Sequence, residues 1–249
     1  MKKNKYITII ILVLIFSSLS YKEVYSLEVS KEKKVVYLTF DDGLSPGITN
    51  EILNVLENNN VKATFFLIGN NSRANNEVIK KISNNEMSIM PHTDKQKYKN
   101  IYSSSKTYFD NLKNCEDTIF NITGKTNFNF IRMPGGSDNT IGSSTVLDEI
   151  RNKIINDGKY YIDWSLEIGG DERTENTMDF IESRIRESGG LYKVEVVLMH
   201  DLKNKVNTIE ALQKTIDFYK ERDYEFKTLD NIDNSEIEYL KNIKVINKK

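Results

Sequence analysis

The sequence predicts an α/β fold with mainly parallel strands, and three observations carry that expectation. Apolar runs bounded by turn residues recur at intervals of about 30 residues, with amphipathic segments between them, which is the alternation of a strand–helix chain. The 249 residues hold 39% hydrophobic and 29% charged side chains, an ordinary balance for a globular domain. Both histidines, the tryptophan and two of the three prolines stand at or just beyond the C-terminal ends of the predicted strands. That is where α/β folds gather functional groups.

Taken in order, the chain opens with the basic stretch MKKNK and the uncharged run 6–21. Its apolar centre, 9–16, is far shorter than the roughly 20 residues that cross a bilayer. With Val24 and Ser26 at the −3 and −1 positions, residues 1–26 read as a secretory signal, or alternatively as an uncleaved anchor. Either reading places 27–249 outside the cytoplasm, secreted or at the cell surface, with no stable membrane span after cleavage. Strands are expected over 34–40, 62–68, 87–90, 128–133, 160–164, 195–199 and 224–228. Helices are expected over 47–57, 74–83, 104–121, 144–156, 176–187 and 206–222. No linker, repeat or low-complexity stretch marks a second domain, so 27–249 is read as one domain, either a closed or distorted (β/α) barrel or an open sheet.

Composition excludes several classes. Removing residues 1–26 takes away four lysines and one glutamate and moves the formal net charge from −1 to −4. Nucleic acid is therefore not an expected partner, because no basic stripe is available to displace counterions. Cys115 alone forms neither an internal disulfide nor a cysteine-rich zinc cluster, and its place in a predicted helix suits a small buried residue. With His92 and His200 as the only histidines, a three-histidine metal site is excluded.

The strand ends carry the chemistry. Asp41 and Asp42 end the first strand before Gly43, and neighbouring strand side chains point apart, so one suits a metal ligand and the other a general base; a plain Asp-Asp-Gly turn is the alternative. His92 follows Pro91, and His200-Asp201 follows an apolar run. Arg132 interrupts another apolar run and needs a carboxylate partner if buried, with Asp41 and Asp163 as candidates; a structural ion pair is the bland reading.

In order and spacing these segments resemble the five motifs of the polysaccharide deacetylases of carbohydrate esterase family four, the NodB-homology domain. The matching segments are Thr39-Phe40-Asp41-Asp42-Gly43, His92-Thr93, Arg132-Met133-Pro134-Gly135, Asp163-Trp164-Ser165 and Leu198-Met199-His200-Asp201. The resemblance spans about residues 35–230. It implies a distorted (β/α) barrel of about seven parallel strands, and hydrolysis of N- or O-acetyl groups on acetylated polysaccharide or peptidoglycan with a divalent metal. Carried over by motif, Asp42 and His92 would be metal ligands, Asp41 the general base oriented by Arg132, and His200 the general acid tuned by Asp163. Trp164 and Leu198, with Pro134 and Gly135, would shape the substrate pocket.

The second motif departs from the pattern. Gln96 stands where the family has a second metal-binding histidine, between Lys95 and Lys97. A glutamine oxygen is a poorer zinc donor than imidazole, and Asp94 is a substitute at a different offset. A harder ion such as manganese or magnesium, or cobalt, then competes with zinc as the expected metal. The other reading is a carbohydrate-binding or regulatory homologue without hydrolysis. Tyr98, Tyr102, Trp164 and Tyr192 are candidate sugar-stacking aromatics.

Overall fold

The computed structural model describes residues 33–95, 97–169, 177–201 and 208–248. The predicted signal at 1–26 and Gln96 lie outside the described residues.

Strand β1 (Lys34–Asp41) is buried along seven of its eight residues, as a central parallel strand covered on both faces must be. It is followed by α1 (Pro46–Asn58), β2 (Thr64–Ile68), α2 (Gly69–Ala74), α3 (Asn76–Asn84) and β3 (Ser88–Thr93). Next come α4 (Tyr98–Ile101), α5 (Ser105–Thr123), β4 (Phe130–Ile131), α6 (Ser144–Asn156), β5 (Tyr160–Tyr161) and β6 (Leu166–Glu167). The chain continues through α7 (Met178–Ser188), β7 (Val194–His200), α8 (Thr208–Lys220), β8 (Tyr224–Phe226) and α9 (Asn234–Asn242).

The main sheet runs β3-β2-β1-β7-β6, with β8 also on β1, and β4 pairs β5 in a second small sheet. Every pairing between these strands is parallel. The two parallel sheets ringed by helices form a distorted α/β barrel rather than a regularly closed one. Strand β3 lies at the edge of the order, the position that tolerates Pro91. Helices begin on side-chain caps where the sequence offers them: Ser104 to Thr107 N, Ser143 to Val146 N, Thr177 to Phe180 N, and a capping box between Asp233 and Glu236.

The fourth and fifth strands are shorter than the sequence suggests, two residues each, because Arg132 and the Pro134-Gly135-Gly136 turn take the chain out of pairing. An additional strand, Leu166–Glu167, pairs with β7. One large apolar cluster fills the space around β1, β2 and β7, and a second packs α5 and α6 against Ile131 and Tyr161. Cys115 is buried in α5, its thiol donating to the Leu67 carbonyl at 3.1 Å, and burial pushes its pKa up to about 12. No helix among the described residues is long and apolar enough to cross a membrane.

Candidate active site

The register of β1 against β7 sets Thr39 beside Leu198 and Asp41 beside His200. Residues two apart on a strand share a face, so Thr39 and Asp41 point to one side of β1, and Leu198 and His200 to one side of β7. Leu198 is buried yet belongs to neither apolar cluster, as befits a side chain facing a polar interior. Asp42 has a φ of 72°, a left-handed turn that directs its carboxylate away from that of Asp41.

Arg132 is fully buried, and its donors are all engaged across the barrel. Nη1 donates to Asp41 Oδ1 at 3.1 Å, Nε to the Ile162 carbonyl at 2.8 Å, and Nη2 to Thr39 Oγ1 at 3.3 Å and the Asp163 carbonyl at 3.4 Å. Its guanidinium lies over Phe66, 4.6 Å from the ring centre, and 5.4 Å from that of Trp164. Of the two carboxylates considered as partners, Asp41 takes the ion pair and Asp163 offers only its main chain.

The main-chain carbonyl of Arg132 accepts a hydrogen bond from His92 Nδ1 at 2.9 Å. A carbonyl only accepts, so Nδ1 carries the proton and the other ring nitrogen faces the site. That nitrogen, Nε2, stands 3.5 Å from Asp42 Oδ1, with both side chains buried. Burial lowers the imidazole pKa, but the Asp42 hydrogen bond and the charges of Asp41 and Asp42 outweigh it, and the net shift is upward. With its ligating nitrogen unprotonated, His92 together with the Asp42 carboxylate matches a divalent cation in charge and donor type. The pair supplies two protein ligands; no group of three His, Cys, Asp or Glu side chains suited to a metal occurs among the described residues.

Asp94 does not complete that set. Its Oδ1 accepts from Arg73 Nη1 at 2.7 Å, on the α2 side, which ties the carboxylate away from Asp42 and His92. Asp163 also departs from the expected arrangement. Its Oδ1 accepts from Ser137 N at 2.9 Å and its Oδ2 from Ser137 Oγ at 2.5 Å, while His200 Nδ1 is buried with no hydrogen-bond partner among the described residues. The turn through Gly135 (φ 77°) and Gly136 (φ 89°) delivers Ser137 to Asp163 and places one donor on each of its oxygens. Burial raises the Asp163 pKa, against the Ser137 hydrogen bonds and the Arg132 charge.

Pro134 is buried, its carbonyl accepting from Tyr102 Oη at 2.8 Å, and Gly135 is exposed beside it. Trp164 is half-buried and packs against Gly136, where a Cβ would stand 3.3 Å from the indole. Two aromatics leave the list of sugar platforms. Tyr102 is buried and stacked on Tyr108, and Tyr192 precedes β7, at the end of the strand opposite His200. Sequence reasoning missed Ser137 and Asn71, whose Nδ2 donates to the Asp42 carbonyl at 3.2 Å. It also missed Thr49, whose hydroxyl donates to Asp201 Oδ2 at 2.5 Å. Nothing in a single sequence marks them, because each acts through a contact between segments far apart in the chain.

A family model described as polysaccharide deacetylase matches residues 28–152. A peptidoglycan-N-acetylglucosamine deacetylase of Bacillus cereus is 32% identical over 203 residues, covering 79% of this chain and 70% of its own length. The chain belongs to the polysaccharide deacetylase family. Among solved structures, the catalytic domain of a peptidoglycan N-acetylglucosamine deacetylase from Eubacterium rectale matches with a TM-score of 0.72 at 28% identity, over 80% of this chain and 90% of that one. A family pseudoenzyme from Bacillus anthracis matches with a TM-score of 0.64 at 25% identity, over 80% of this chain and 64% of that one. This deacetylase fold therefore serves both enzymes and at least one pseudoenzyme, and the side chains at the strand ends must decide between them.

Proposed function

We propose that this chain is a metal-dependent hydrolase that removes acetyl groups from glycans outside the cytoplasm, with peptidoglycan amino sugars as its substrate. The observation that carries the reading is the Asp41 carboxylate, held by a fully buried Arg132 beside the Asp42–His92 pair and in register with His200. A buried cluster of ionisable groups at one barrel end carries a desolvation cost that a purely structural end need not bear. The relatives named as peptidoglycan deacetylases support the substrate class.

Asp42 and His92 would hold the cation, which, when bound, supplies Lewis-acid chemistry that polarises a carbonyl oxygen and lowers the pKa of a water. Asp41 takes the proton of the water that attacks the acetyl carbon, and Arg132 keeps that carboxylate aimed. His200 gives a proton to the departing sugar nitrogen as the carbon–nitrogen bond breaks, leaving acetate and a free amine. Trp164 and Leu198 confine the acetyl methyl, and the Pro134-Gly135 turn forms the rim.

The test is acetate release from acetylated peptidoglycan fragments by residues 27–249, with zinc, manganese, magnesium or cobalt, beside metal titration by calorimetry. The wild type is expected to release acetate with added metal, Asp41→Asn to lose about 10²- to 10⁴-fold in rate, and Gln96→His to bind metal more tightly. A second reading, sugar binding without hydrolysis, is favoured by the two-donor metal pair. It prevails if the wild type binds oligosaccharide but releases no acetate at millimolar metal while Gln96→His does.

A further inference from the structure

Beside the Asp42–His92 pair, a groove of about 340 Å³ runs between α2 and the loop after β3, lined by Ile68, Asn70, Asn71, Lys95 and Lys97. It adjoins the site directly, because Asn71 in its wall is bonded to the main chain of Asp42. A groove of this size lies at the small end of ligand pockets, enough for about one sugar unit with its substituents rather than a whole oligosaccharide.

Its two lysines differ from many others in the chain. Lys62, Lys80, Lys106, Lys113, Lys125, Lys153, Lys159 and Lys241 each pair with a neighbouring carboxylate. Lys95 and Lys97 are exposed, and neither has an ion-pair partner among the described residues. The adjacent acid, Asp94, lies beside Gly69 and has its charge balanced by Arg73, Oδ1 to Nη1 at 2.7 Å. The result is a local positive wall on a chain of net negative charge.

We infer that Lys95 and Lys97 form a subsite that reads a carboxylate on the glycan, so that the chain selects acid-bearing sugars over neutral ones. The position of this subsite relative to the scissile acetyl rests on the deacetylase reading above; the preference itself does not. Two ammonium groups and the Asn70 amide offer donors to a carboxylate and nothing comparable to a hydroxymethyl group. Chitin-like chains and an unsubstituted xylose backbone carry no such charge. A muramyl sugar carries one on its lactyl ether, and a peptide stem carries more.

The experiment measures binding by calorimetry with Asp41→Asn, which prevents turnover, against three oligosaccharides of equal length: neutral N-acetylglucosamine, lactyl-bearing without peptide, and peptide-bearing. At low ionic strength an acid-bearing oligosaccharide should bind about tenfold more tightly than the neutral one, and the difference should shrink toward parity at 1 M salt, where screening is short-ranged. Adding Lys95→Gln and Lys97→Gln should remove the preference and leave the neutral affinity unchanged. A preference on the lactyl arm assigns the sugar's own carboxylate, and one confined to the peptide arm assigns the stem's. Equal affinity across the arms, or a preference that survives loss of both lysines, overturns the inference. Acetate release by the unsubstituted chain is scored separately, so binding with this preference but without hydrolysis retains the subsite and overturns the deacetylase.

Discussion

The two ends of the barrel both bury acids, and they treat them differently. Toward the N-terminal ends of the strands, Glu195 is fully buried and accepts from Gly190 N at 3.0 Å, Tyr192 N at 2.9 Å and the Tyr219 hydroxyl. Glu236 accepts from Tyr37 Oη at 2.6 Å, Lys227 Nζ at 2.6 Å and Asp233 N at 2.9 Å. These carboxylates are saturated by donors from the scaffold and lock turns in place. At the C-terminal ends, Asp41, Asp42, Asp163 and Asp201 crowd together with two histidines, and His200 Nδ1 and Asp201 Oδ1 are buried without a hydrogen bond among the described residues. Polar groups left short of partners in a buried site cost stability, and a fold keeps them where a ligand is to complete them.

The strongest way to break this contrast is Arg132→Met. It strands the Asp41 carboxylate in the interior, so stability should fall by about 3–5 kcal/mol, read by urea unfolding, and an unchanged midpoint would show that Asp41 does not depend on Arg132. Glu195→Gln probes the saturated end. It should cost about 1–3 kcal/mol while acetate release per folded molecule stays at the wild-type rate; a drop in that rate would dissolve the division between the ends.

A third measurement sharpens the comparison through pH. Burial, reinforced by the charge of Asp42 and opposed by bonds from Thr49 and Ser45, pushes Asp201 up to about 7. Unfolded, it releases its proton near the usual carboxylate value of about 4. The folded state therefore holds a proton that the unfolded state has lost, and stability declines as pH rises from about 4 to about 7. With chelator present, Asp201→Asn should melt above the wild type at pH 8, and the two should converge toward pH 4; parallel melting curves would contradict the shift. The smallest effect is expected from Tyr192→Ala, which should leave oligosaccharide affinity within twofold, because that ring lies at the saturated end.

The parts of this molecule that are legible in one sequence are those whose signals are local and long. Strands β1, β2 and β7 are continuous apolar runs, and the motif residues at their ends fall where strand-end logic puts them. The two-residue β6 carries no periodicity to read. Helix α9 was missed although Asp233 and Glu236 spell a capping box, because the segment before it is too short to stand out. The site was legible as a set of residues and not as a set of contacts. That Arg132 needs a carboxylate follows from charge, since a buried guanidinium demands one, but charge left Asp41 and Asp163 both open and only the motif resemblance singled out Asp41. Asp163 with Ser137, and Asp94 with Arg73, depend on how two loops fold back, which residue type alone does not encode.

Arg132 addresses Asp41 with its side chain and His92 with its own carbonyl, so strand β4 sets the aim of one and the tautomer of the other through a single stretch of backbone. A redesigner who shifts β4 detunes both at once. Independent adjustment has to come from the opposite wall, through the β1 turn or the loop after β3.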